Sequence, residues 1–241
     1  MGSSLLAQHA FDARFNSTNI ETIAGRTFDL LVCAGARAEK WKANADPAGD
    51  RIGIERLLAA LAGVKAERAV LISTVDVFAD PREVDESAAV DTSRAQAYGA
   101  NRRALEVAFA QQFGATILRL PGVYGPGLKK NIIYDLLHGH ETAKIDSRGV
   151  FQFYGVRRLW KDVGTALDHG LGVVHLVTEP VSVADIAVRA FGLPFDNRAV
   201  DRPARYDVRT KYAALFGGAG SYIEDRECEL EGIRRYVADS R

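Results

Sequence analysis

The sequence is poor in cysteine, and neither sign of charge is in surplus: its 241 residues hold two Cys, with 31 Lys plus Arg against 31 Asp plus Glu. Cys33 lies in an apolar run and Cys228 in a charged C-terminal stretch, so they make neither a disulfide framework nor a metal-ligand cluster. A reducing, cytoplasmic setting is the expectation. A formal net charge of zero supplies no long-range field to attract a polyanion or an acidic bilayer, which argues against a nucleic-acid partner. Long hydrophobic runs are also missing, and the stretch Leu30 to Ala36 is far too short to cross a membrane. The start lacks a basic region ahead of an apolar stretch, and Leu6 stands where myristoylation needs Ser or Thr. Asn16-Ser17-Thr18 has the form of a glycosylation sequon and, with no leader before it, reads as a chance match.

What is present is an ordinary globular composition, 47% hydrophobic and 26% charged. Apolar runs at Phe28 to Cys33, Ala69 to Ser73, Ala115 to Leu120 and Gly172 to Val177 predict strands. Between them, Pro47 to Ala62 and Arg94 to Phe113 carry apolar residues at spacings of three and four, which predicts helices. The alternation predicts an α/β, Rossmann-like doubly wound parallel sheet with a small C-terminal lobe. Residues 1–125 and 156–178 are assigned to the sheet domain, and 126–155 and 179–241 to the lobe. One part of that fold is not visible. The Gly-rich turn between a first strand and its helix should hold a pyrophosphate, yet MGSSLLAQ supplies only a last glycine, Gly2, and a helix. A strand missing from the middle of the sheet is expected to leave two edges unpaired and to lower stability; an upstream strand with a complete glycine turn would repair the gap.

Ligands of open α/β sheets sit beyond the carboxyl ends of the strands. There AVLISTVDVF ends in Ser73 and Thr74, followed by Asp76. AYGANR places Tyr98 and Arg102 four residues apart on one helical face, and ILRLPGVYGPG closes the next strand in a Pro- and Gly-rich loop. With FDLLVCAGA and the helix start DPAGDRIGIERLLAAL, in this order and with Tyr98 lying 24 residues after Thr74 (98 minus 74), the chain resembles the extended short-chain dehydrogenase/reductase family, the NAD-dependent epimerases and dehydratases.

The resemblance implies NAD or NADP as cofactor, a small-molecule, sugar-like or other hydroxylated substrate, and a homodimer formed through the two long helices. It implies Thr74, Tyr98 and Arg102 as catalytic residues, and Gly2, Ala34, Gly35, Ser73, Tyr98, Arg102 and Pro121 as cofactor contacts. A phenol with an ordinary pKa of about 10 needs a neighbouring cation to work near neutrality. Arg102 stands where the family has lysine and should supply that charge, with a different reach. Thr74 would bond the substrate oxygen that Tyr98 protonates or deprotonates, while hydride passes to or from the nicotinamide.

Several positions depart from the family pattern. Val75-Asp76 replaces the Asp-Glu pair of the dehydratases, Gly122 stands where an Asn often contacts a substrate diphosphate, and Asp50 aligns with a family Asn. Asn16 to Thr18 occupy the place of the ribose-binding acid, so NAD and NADP stay equally open.

Plainer roles compete with these. Tyr98 and Arg102 could be a surface stacking pair, Ser73 and Thr74 could satisfy strand-end backbone, and Asp76 is expected to cap a turn. His138 and His140 lack a third metal ligand and are expected in solvent. Trp160, Phe151, Phe153 and Tyr154 are expected to pack the second lobe, and Cys33 to be a buried strand residue. A relative that keeps the fold without the chemistry is the rival to an enzyme.

Overall fold

The computed structural model describes residues 1–241. In chain order the elements are α1 (Gly2–Gln8), β1 (Thr27–Cys33), α2 (Lys40–Ala45), α3 (Pro47–Leu61), β2 (Lys65–Thr74), β3 (Arg82–Val84), α4 (Ala97–Phe113), β4 (Thr116–Leu120) and β5 (Gly122–Tyr124). There follow α5 (Ile132–His138), β6 (Val150–Phe151), β7 (Phe153–Gly155), α6 (Leu159–Asp168), β8 (Val173–His175), β9 (Val181–Ser182), α7 (Val183–Phe191), β10 (Asp207–Val208) and α8 (Arg226–Asp239). The chain forms two compact units, one of Met1–Asp80, Ala88–Arg119 and Trp160–Val174, the other of Pro81–Ser87, Leu120–Leu159 and His175–Arg241.

The main sheet is parallel, with strand order β1-β2-β4-β8. Every residue of β4 is buried, as expected of a strand covered on both faces. The expected break in the middle of the sheet is not there. Strands follow one another in sequence order, so each inner strand has neighbours on both sides and the open edges are those of β1 and β8.

The first unit's core gathers Leu31 and Cys33 of β1, Leu71 of β2, Leu105 and Phe109 of α4, Ile117 of β4 and Ile54 and Leu61 of α3. Burial pushes the Cys33 thiol up to about 11, so it is an inert core residue, as its sequence setting suggested. Local chemistry fixes the helix ends. Asp46 caps α3 by accepting from the Gly49 amide at 2.9 Å, with Pro47 in the first turn. α4 begins at Ala97, three residues later than its apolar spacing suggested, because residues 92–95 close a turn in which the Ala95 amide donates to the Thr92 carbonyl, and Gln96 is extended. It ends at Gly114, whose φ of 58° suits a left-handed C-cap. Trp160 is a correction: it belongs to this first unit, where its ring stacks on His9 at 3.9 Å and meets Phe11 edge-on.

The second unit packs Tyr124, Ile133, Phe153, Val183, Ile186, Leu230 and Ile233 together. The aromatic stretch around 150–154 forms two strands broken at Gln152, whose buried amide donates to the Thr178 and Val208 carbonyls and accepts from the Val208 amide. Gly122 pairs with Phe153, and a Cβ there would come within 2.8 Å of the Phe153 ring, so close packing accounts for glycine at this position. His138 packs against Tyr134, and His140 contacts Asp135 and Lys130; no group of three metal-ligating side chains occurs. No helix is long and apolar enough to cross a membrane.

Candidate active site

β2 delivers Ser73 and Thr74 to its carboxyl end, where a short 3-10 turn, Val75–Val77, begins. Thr74 caps that turn, its hydroxyl accepting from the Asp76 amide at 3.1 Å. The capping role expected of Asp76 therefore falls to Thr74. The Asp76 carboxylate instead pairs with Lys40 Nζ at 2.8 Å.

α4 brings Tyr98 against this turn through Gly99. A Cβ at position 99 would lie 2.1 Å from the Asp76 carbonyl oxygen, so only glycine permits the approach. The Tyr98 phenol reaches the Thr74 hydroxyl, and the Tyr98 amide donates to Asn44 Oδ1 of α2 at 3.0 Å.

Arg102 sits one turn further along α4, 3% exposed, with its guanidinium carbon 4.5 Å from the Tyr98 ring centroid. Its nitrogens donate to both oxygens of Asp50, at 2.8 and 2.9 Å, and to the Arg37 carbonyl. Asn101 adds a 2.9 Å bond to the same carboxylate. Burial pushes the Asp50 carboxyl up, but the bonds from Arg102 and Asn101 and the nearby positive charge outweigh it, so its pKa falls.

Arg102 does favour the Tyr98 phenolate, but burial outweighs it. Burial dominates at Tyr98 and raises its pKa; Arg102 and Lys40 oppose the rise, while Asp76 adds to it. The cation is balanced by Asp50 and lies over the ring face. Ser73 is committed as well: its hydroxyl donates to Glu106 at 2.6 Å, and Glu106 holds buried Arg119 through two bonds of 2.9 and 2.7 Å.

Of the other sequence-derived positions, Gly35 packs tightly under Leu57, where a Cβ would meet both methyls at 3.3 Å, and Ala34 precedes it just after β1. Gly2 opens α1 in free space, and Pro121 joins β4 to β5 in the second unit. Thr74, Tyr98 and Arg102 are thus brought together, and Gly2, Gly35 and Pro121 are not part of that cluster's hydrogen bonding. Lys40, Asn44 and Glu106 were not foreseen. The four-residue spacing of Lys40 and Asn44 just beyond a strand's carboxyl end was the available signal.

A tyrosine and a threonine side by side at the carboxyl end of a parallel strand are what the resemblance required. The model of the NAD dependent epimerase/dehydratase family matches residues 7–186. The chain belongs to this family. No curated protein matches it in sequence. Among solved structures it is similar to RMD from Pseudomonas aeruginosa complexed with NADPH, with a TM-score of 0.70 and 17% identity over 100% of this chain and 94% of that one. It is similar to a dTDP-4-dehydrorhamnose reductase from Clostridium acetobutylicum, with a TM-score of 0.66 and 20% identity over 88% and 81% of the two chains. A UDP-glucose 4-epimerase from Thermotoga maritima, with UDP-glucose, gives a TM-score of 0.62 and 20% identity over 87% and 76%. At these identities the likeness is one of fold.

The family is NAD-dependent and one neighbour holds NADPH, in agreement with the cofactor expected from the sequence. The residues of this chain fit the reactive end of such a cofactor better than its diphosphate. Thr74 and Tyr98 form a hydroxyl pair beside the sheet end, but Arg102 and the Ser73 hydroxyl are committed to carboxylates and Gly35 to packing. Dinucleotides lie where strand order reverses, and the order β1-β2-β4-β8 contains no reversal.

Proposed function

We propose that the protein is an NAD(P)-dependent oxidoreductase or epimerase acting on a sugar-like, hydroxylated small molecule. The observation that carries this reading is the Thr74 hydroxyl within reach of the Tyr98 phenol at the carboxyl edge of the sheet. When bound, the nicotinamide supplies the hydride acceptor or donor. Thr74 orients the substrate oxygen by hydrogen bonding, and Tyr98 takes its proton on oxidation or returns it on reduction. Asp50 and Arg102 hold the first turns of α4, and so the phenol, in place. The neighbours' nucleotide-sugar ligands and names support the substrate class.

A cytoplasmic homodimer completes the proposal. The long helices α3 and α4 each expose a large apolar residue, Ile52 and Val107, which suits the helix pairing expected from the family resemblance.

Titration with NAD(H) and NADP(H), followed by fluorescence and thermal shift, tests cofactor binding. Turnover of a hydroxylated substrate should then fall by about 10²–10⁴-fold in Tyr98→Phe. Binding of neither cofactor would favour the second reading, a non-catalytic relative, for which the commitment of Arg102 to Asp50 is the specific support.

A further inference from the structure

Arg102, the cation expected to tune Tyr98, is buried, bound to both oxygens of Asp50 and 4.5 Å from the Tyr98 ring centroid. A second cation approaches the same tyrosine from another element. Lys40 and Asn44 lie one turn apart on α2, and side chains four residues apart share a face. Asn44 accepts from the Tyr98 amide and donates to Gln96 Oε1 at 2.8 Å, just before α4. Lys40 reaches Asp76, whose amide donates to Thr74 and whose carbonyl is in close contact with Gly99. A single face of α2 thus grips both halves of the Thr74–Tyr98 pair.

We propose that the Lys40 ammonium, acting through Asp76, is a second cation that joins Arg102 in promoting proton release from Tyr98. Lys40 is a positioning residue here, and its assignment rests on the active-site reading of Tyr98. Asp76 opposes ionisation of the phenol, and Lys40, paired with it at 2.8 Å, favours ionisation. Arg102, held by Asp50, favours ionisation more strongly than Lys40 does, and the Thr74 hydroxyl also favours it. The Lys40 side chain is 40% exposed and that of Asp76 21%, so an anionic substrate entering from solvent can compete with Asp76 for the ammonium. Such a substrate would weaken the lysine's hold on Asp76 and change the proton affinity of Tyr98 as it binds.

The test places difluorotyrosine at position 98, whose phenol ionises below that of tyrosine and is read alone by fluorine NMR. Its titration midpoint is measured with Lys40, Lys40→Met, Lys40→Arg and Asp76→Asn, each verified as folded by circular dichroism. Lys40→Met should raise the midpoint by about one pH unit. Lys40→Arg should restore it, and Asp76→Asn should lower it; opposite signs at the two partners are not what general loosening produces. A midpoint unmoved by Lys40→Met, whatever Asp76→Asn does, would overturn the proposal. Because this readout needs no cofactor, a shifted midpoint without NAD(P) binding would sink the enzymatic reading and leave the Lys40 assignment standing. Turnover abolished by Tyr98→Phe, with a midpoint indifferent to Lys40, would do the reverse.

Discussion

Asp50 on α3 holds Arg102 on α4 by two guanidinium bonds of 2.8 and 2.9 Å, and both side chains are almost wholly buried, at 7% and 3% exposure. The bidentate fit is specific to arginine. It explains why lysine, the family's residue, is not a simple replacement here.

Arg102→Lys is accordingly expected to lower stability by about 1–3 kcal/mol, through loss of one bond to Asp50 and of the bond to the Arg37 carbonyl. Asp50→Ala, which leaves the guanidinium buried without its anion, should cost roughly 3–5 kcal/mol. Urea unfolding followed by circular dichroism measures both, and equal losses in the two variants would contradict the bidentate account.

Gly99→Ala should separate Tyr98 from Thr74. The new methyl would lie 2.1 Å from the Asp76 carbonyl oxygen, so α4 must shift, at a cost of about 1–3 kcal/mol. Turnover should fall much further than this modest destabilisation accounts for, because proton transfer depends on the displaced contact. A variant with unchanged kcat would show that the approach of the two elements is not needed.

Glu106→Gln should destabilise the protein by roughly 3–5 kcal/mol, since it strips the charge that compensates buried Arg119. Glu106→Gln with Arg119→Met should recover part of that loss, and a double-mutant cycle measures the coupling.

Glu229 of α8 is fully buried; one oxygen accepts from the Phe153 amide at 2.8 Å and the other has no partner. Burial raises its pKa well above the usual carboxyl range, so the folded state keeps a proton that the unfolded chain releases above about pH 4.3. Stability carried by this group is therefore present at low pH and lost as pH rises toward its folded pKa. Glu229→Gln should flatten that decline, which urea midpoints measured between about pH 5 and about pH 8 will show. The same slope in both proteins would assign the decline to other groups.

Much of this fold was legible because its strands are apolar runs and its helices carry ordinary stop signals. The strand Ala69 to Ser73 lies wholly within β2, and the helix Pro47 to Ala62 ends one residue beyond α3. Thr74 and Tyr98 were legible through motif order. Their surroundings were not, since Lys40 and Asn44 reach the site from a six-residue helix with little periodicity to mark it. The pairing of Asp50 with Arg102 is likewise tertiary, joining residues 52 positions apart. Sequence spacing showed that Arg102 could approach Tyr98, but not that a carboxylate from another helix would claim its charge. The sheet order escaped for a similar reason: an incomplete opening motif suggested a gap, whereas neighbouring strands close up wherever their edges can pair.

The strand order β1-β2-β4-β8 also bears on how the chain assembles. Each strand joins the one that precedes it within the sheet and never has to wedge between two that are already paired. As the chain leaves the ribosome, β2 can dock on β1, then β4 on β2, and β8 last, with the growing edge always the newest strand. A reversed order would leave an early edge waiting for a late partner, exposed to other chains in the meantime. Sideways growth in one direction leaves only the newest strand waiting for a partner within the sheet.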